Sequence, residues 1–168
     1  MKKQLGIVLL ALTFAVPGHA AKKPNVAVTT DRFTGVTTVL MKTVDIMFTA
    51  DRMCFLRMTA IATSAAPTPT LVIGADCDEW QYLHGVTAHA LIDGQRVDFQ
   101  FNVTSTKTTF DRPQTHEVLA ADVPKDVMDR IAKCQTFEME LGRYAFTLKP
   151  KGLEPLRDFN AAVSALVK

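Results

Sequence analysis

Once its first 20 residues are set aside, the sequence has no excess of either charge, no glycine-rich loop, no internal repeat and no apolar run long enough to cross a bilayer. Lys2 and Lys3 fall in that opening stretch, which leaves 17 cations against 17 anions in the remainder. A balanced chain has no electrostatic footprint for nucleic acid or for an anionic membrane. Its eight glycines are scattered and form no phosphate-cradling loop. Ser64, Ser105 and Ser164 lack a Gly-x-Ser-x-Gly elbow, and neither a His-x-x-x-His helix nor the alternating acids of a calcium loop is present. With 48% hydrophobic and 21% charged residues, the composition is that of a folded chain, not a disordered one.

The chain opens on Met1-Lys2-Lys3, a basic start, followed by an apolar run from Gly6 to Val16. Pro17-Gly18 breaks the run, and Gly18-His19-Ala20 supplies small residues at a cleavage position. This pattern predicts an export signal over residues 1–20, cut near Ala20. The run is shorter than the roughly 20 residues a spanning helix needs. No cysteine follows the cut, so no lipid anchor is expected. The remaining residues, 21–168, read as a single domain in the periplasm or secreted, long enough to bury roughly 70% of its unfolded surface.

Most of that domain alternates with period two. Val97, Phe99, Phe101 and Val103 alternate with Arg96, Asp98, Gln100 and Asn102, which predicts a strand with one wet and one buried face. Ile92-Asp93-Gly94-Gln95 carries the Asp-Gly step of a tight hairpin, and Val86, Ala88, Ala90 and Ile92 form the inward set of its partner. A second hairpin runs from Phe137, Met139 and Leu141 through Gly142-Arg143 to Tyr144, Phe146 and Leu148. Upstream, 34–40 and 44–49 read as strands, 53–63 as a less regular strand, and 70–75 as a short one after a Pro-rich loop. Pro124 is placed as the first residue of a helix with Val127, Ile131 and Cys134 on its apolar stripe. Leu153, Leu156, Phe159, Val163 and Leu166 mark a closing helix, with Pro155 expected inside its first turn. The order of elements predicts an α+β fold, an antiparallel sheet of about six to nine strands packed against two helices.

One resemblance accompanies this reading. The helix ending Arg130-Ile131-Ala132-Lys133, the strand Phe137-Glu138-Met139-Glu140-Leu141-Gly142, the strand Phe146-Thr147-Leu148 and the helix through Leu156-Arg157-Asp158-Phe159 resemble the C-terminal half of a loose group of small exported bacterial α+β proteins. The hairpin at Ile92-Asp93-Gly94 and the early segment Asp31-Arg32-Phe33-Thr34-Gly35-Val36-Thr37-Thr38 are similar to that group as well. The resemblance implies a strand-rich N-terminal part, a helix–hairpin–helix C-terminal part and export. It implies no activity, and Cys54, Cys77 and Cys134 lie outside its pattern.

Three cysteines allow one intramolecular disulfide, with three possible pairings. If the strands over 53–63 and 70–75 form a hairpin around Pro67, Cys54 and Cys77 meet across its open end, while Cys134 packs as a small hydrophobe. Asp76, Asp78 and Glu79, with His84 five residues beyond, are the densest group of ligand types and the candidate metal site. The competing reading is a solvated acidic turn followed by Trp80 and Tyr82 anchoring into the core. His116 and Glu117 are neighbours on a strand and point to opposite faces, so they read as a surface histidine and a partly paired glutamate, not as a base with its orienting acid. Phe99, Phe101, Phe110 and Tyr144 fall to the core.

With no catalytic constellation, the sequence predicts a non-enzymatic exported protein that binds a protein partner, as an inhibitor, immunity or accessory factor. The candidate contact residues are Trp80, Tyr82, Arg96, Asp98 and Gln100. The alternatives are a metal-assisted hydrolase built on the Asp76–His84 cluster and a purely structural envelope component. No cofactor is expected, and the chain reads as a monomer or small homo-oligomer.

Overall fold

Period-two alternation carries most of the chain into one antiparallel sheet. The computed structural model describes residues 24–49, 54–109 and 114–166. Its elements are β1 (Val26–Thr30), β2 (Thr37–Met41), β3 (Val44–Thr49), β4 (Cys54–Thr63), β5 (Thr70–Cys77), β6 (Val86–Ile92), β7 (Gln95–Thr109) and β8 (Gln114–Asp122). They continue as α1 (Lys125–Lys133), β9 (Phe137–Leu141), β10 (Tyr144–Leu148) and α2 (Pro150–Leu166). The expected signal over residues 1–20, and Phe110, lie outside the described residues.

The strand order is β1-β2-β4-β5-β8-β7-β6-β9-β10, and β3 joins the edge of β4 that β2 also uses. β2 pairs with Ile61–Thr63 and β3 with Cys54–Met58, so β4 serves two partners along its length. β7 is longer than the sequence pattern suggested. Gln95–Phe101 pair with β6, Asn102–Thr109 pair with β8, and a bulge between Val103 and Ser105 absorbs the change of direction. The sheet curls, and β10 comes round beside β3.

Burial follows the alternation. β4 turns Cys54, Leu56, Met58, Ala60 and Ala62 inward in strict alternation, more regular than its sequence implied. β5 does the same with Leu71, Ile73, Ala75 and Cys77. These residues share one hydrophobic cluster with Leu153, Leu156, Phe159 and Val163 of α2. Each fully buried side chain of this size contributes about 1.5–3 kcal/mol. α2 lies against β1, β2 and β4, and α1 lies against α2. Arg157 joins the helices by donating from Nε to the Ala132 carbonyl (3.0 Å) and from a terminal nitrogen to the Cys134 carbonyl (2.8 Å), which satisfies carbonyls left open at the end of α1. No helix among the described residues is long and apolar enough to cross a membrane.

Three local expectations change. The segment over 34–40 is not one strand. Asp31 Oδ1 accepts the amides of Phe33 (2.7 Å) and Thr34 (2.9 Å), folding 31–36 into a turn with β1 ahead of it, which brings the strands among the described residues to ten. Those two backbone bonds, Thr34 first, hold the Asp31 carboxyl below its ordinary range. Pro124 is the residue before α1, not its first. Pro155 lies inside α2, because the helix begins at Pro150, whose fixed φ suits a first position.

The β6–β7 turn shows how side chains knit separate hairpins. Asp93 (φ 48°) and Gly94 (φ 80°) both sit in the left-handed region. Asp93 Oδ1 accepts the amides of Gln135 and Thr136, each at 2.9 Å, tying this hairpin to the chain entering β9. Asp93→Ala loses both bonds and places an alanine at positive φ, and is expected to destabilise by about 1–2 kcal/mol. Asp93→Asn, which tolerates that backbone, should lose less. Thermal melts of the two variants test the ranking.

Candidate functional site

β5 leaves the sheet after the disulfide and re-enters as β6, and residues 78–85 form the loop between them. The loop is held from below by Glu117. The β8 alternation turns Thr115, Glu117, Leu119 and Ala121 inward, and Glu117 is fully buried. One carboxylate oxygen accepts the Gln81 amide (2.7 Å) and the other the Tyr82 amide (2.8 Å). A buried carboxylate is tolerable only when its oxygens are satisfied, and here backbone donors do that. Tyr82, 3% exposed, donates its hydroxyl to the Leu141 carbonyl (3.3 Å), and burial pushes the phenol well above its ordinary range. Arg143, in the β9–β10 turn, donates to Gln81 Oε1. Gly85 closes the loop at φ 75°, where a Cβ would stand 2.6 Å from the Phe101 carbonyl oxygen, so only glycine fits.

This arrangement separates two residues that the sequence placed together at an interface. Tyr82 belongs to the base of the loop. Trp80 (38% exposed) and Leu83 (50%) stay at the surface. Leu83 was not singled out from sequence, because an isolated leucine in a polar loop has no periodicity to mark it.

The predicted polar face exists on the outer side of β6 and β7. Asp98 Oδ1 lies 2.9 Å from His89 Nδ1 and accepts from Arg96 Nε at 3.0 Å, while an Arg96 terminal nitrogen lies 2.8 Å from His89 Nδ1. The bonds from His89 and then Arg96 hold the Asp98 carboxyl below its ordinary range. Gln100 accepts from Thr87 (2.7 Å). Glu138 and Glu140 of β9 extend this face past Leu91, bounding a groove of about 370 Å³ with His89, Arg96 and Thr147. His89 enters through register, opposite both Asp98 and Glu140, a relation that parity alone does not reveal.

Cys54 and Cys77 form a disulfide, directly opposite one another on β4 and β5. Cys134 is a free, buried thiol whose pKa is raised by that burial. The residues of the candidate metal cluster take separate roles. Asp76 lies on the outer face of β5, where Oδ1 meets His116 Nδ1 at 2.5 Å and Oδ2 accepts from Arg57. Cys77 faces inward in the disulfide, while Asp78, Glu79 and His84 are exposed in the loop. Among the described residues, no group of three or more His, Cys, Asp and Glu side chains converges as a metal site. Glu117 is fully buried and bonded through both carboxylate oxygens, more than the partly paired glutamate its sequence neighbourhood suggested.

No protein-family model, curated protein or solved structure matches this chain.

Proposed function

We propose that this chain is a non-enzymatic exported protein that binds a protein partner through the Trp80–Leu83 loop and the adjoining outer face of β6, β7 and β9. The carrying observation is the Glu117 clamp, which fixes a loop backbone from inside while leaving Trp80 and Leu83 exposed above it. An apolar pair held on a rigid base loses little conformational freedom on binding, which favours a contact hot spot. Arg96, Asp98 and Gln100 supply a polar rim of the kind that sets orientation and specificity more than affinity. The disulfide accords with folding in an oxidising compartment, and the periplasm is the residence we favour.

Trp80→Ser with Leu83→Ser tests the reading. The wild-type chain, tagged after residue 168 and used to capture proteins from its own envelope fraction, is expected to retain a stoichiometric partner. The double variant should retain at least about tenfold less while its thermal midpoint stays within about 2 °C, because exposed substitutions cost little stability. An empty wild-type eluate, or equal retention by the variant, refutes the proposal. A variant that loses stability and changes no binding instead favours a structural envelope component.

A further inference from the structure

The opposite side of the strands that hold Glu117 carries a second group of charged residues that the partner surface does not use. Register sets Asp76 of β5 beside His116 of β8, and Gly74 between Arg57 of β4 and Val118 of β8. All five lie on the outer face. Because Gly74 has no side chain, a dimple of about 250 Å³ opens there, walled by Thr43, Arg57, Val72, His116 and Val118. Asp76 is not part of that wall. It stands behind, binding His116 through one oxygen and Arg57 through the other.

We propose that this dimple is a carboxylate-binding site, filled by a small organic acid or by the acidic side chain of a partner protein. The Asp76 carboxylate orients two donor groups toward the open space. His116 commits Nδ1 to Asp76, and among the described residues its Nε2 has no hydrogen-bond partner. The Arg57 guanidinium gives one terminal nitrogen to Asp76 and has further N–H groups in a planar fork that matches a carboxylate. Protonated His116 donates from Nε2 beside that fork, giving two donor groups for two oxygens. Around the dimple, Lys107 stands opposite His116 on β7 and Asp45 opposite Arg57 on β3. With His116 protonated, three cations therefore face two carboxylates. The volume is below the roughly 300–1,000 Å³ of sites for larger ligands, which limits the occupant to one small acid group and a short apolar stem against Val72 and Val118.

The test is a titration of the exported chain followed by NMR at the His116 Cε1–H resonance, with succinate in one arm and N-acetyl-glutamate amide in the other. Gly74→Val fills the dimple without removing a charged group. A Cβ at Gly74 meets only His116 Cε1, at 4.0 Å, and valine suits a strand. Arg57→Gln removes the fork, and its partly exposed ion pair contributes little to folding. Saturable shifts at millimolar ligand, weakened at least about tenfold by each variant, are the expected result. Tighter succinate binding assigns a free acid, and tighter binding of the glutamate amide assigns a partner's side chain. The proposal is overturned if neither ligand saturates the signal, if Gly74→Val binds as wild type does, or if sodium chloride at equal concentration gives the same shifts.

Discussion

Replacing Glu117 by alanine is expected to destabilise this protein by about 3–5 kcal/mol, lowering its thermal midpoint by roughly 10 °C. Two hydrogen bonds to one buried carboxyl group disappear together, and the Gln81 and Tyr82 amides lose their acceptors. Glu117→Gln preserves shape and one acceptor but turns an NH2 toward the other amide, so it should fall between alanine and wild type. Circular dichroism melts measure the ranking, and hydrogen exchange at the Gln81 and Tyr82 amides locates it. The chain has a single tryptophan, so Trp80 fluorescence anisotropy reports the same loosening at the surface. A Glu117→Ala melt within about 2 °C of wild type would mean that the clamp is not what holds the loop.

Removing the disulfide should have a similar effect by a different route. Cys54 and Cys77 are 23 residues apart, and closing a loop of that length stabilises by about 3 kcal/mol in the chain-entropy treatment. Cys54→Ala with Cys77→Ala is therefore expected to lower the midpoint by roughly 10 °C, with the far-ultraviolet spectrum retained at low temperature. Thiol counting gives an independent check. Unfolded, unreduced protein should present one reactive thiol, from Cys134, and three after reduction. In the native state Cys134 should react slowly, being buried and harder to deprotonate than an ordinary thiol. Three thiols without reduction would exclude the bridge.

Alternation was enough to find the β6–β7 and β9–β10 hairpins and the inward residues of β7, β9 and β10, because parity is a local property of the chain. It also separated His116 from Glu117. The cysteine pairing followed once two neighbouring strands were joined around Pro67. What could not be read locally was which strands become neighbours. The Arg57–Asp76–His116 group spans three strands, and His89 gains its partners only through the register of β6 with β7 and β9. β1 was missed because Asp31 forms its turn through side-chain bonds that periodicity does not record. Glu117 did leave a trace. It shares parity with Leu119 and Ala121, and an acid at an inward strand position indicates a buried partner to be found. The identity of that partner, the backbone of a loop 35 residues earlier, is tertiary information.

β7 works as a splice. Its first seven residues complete one set of strands with β6, β9 and β10, and the rest completes another with β8, β5 and β4. The two sets meet end to end on a single strand, with the bulge just beyond the joint, between Val103 and Ser105. No residue of β7 pairs in both sets, so the joint between Phe101 and Asn102 is carried by the continuous backbone alone and not by shared hydrogen bonds. Fraying of β7 from its first residue therefore opens the ladder to β6, and fraying from its last residue opens the ladder to β8, the strand that carries both Glu117 and the His116 wall of the Gly74 dimple.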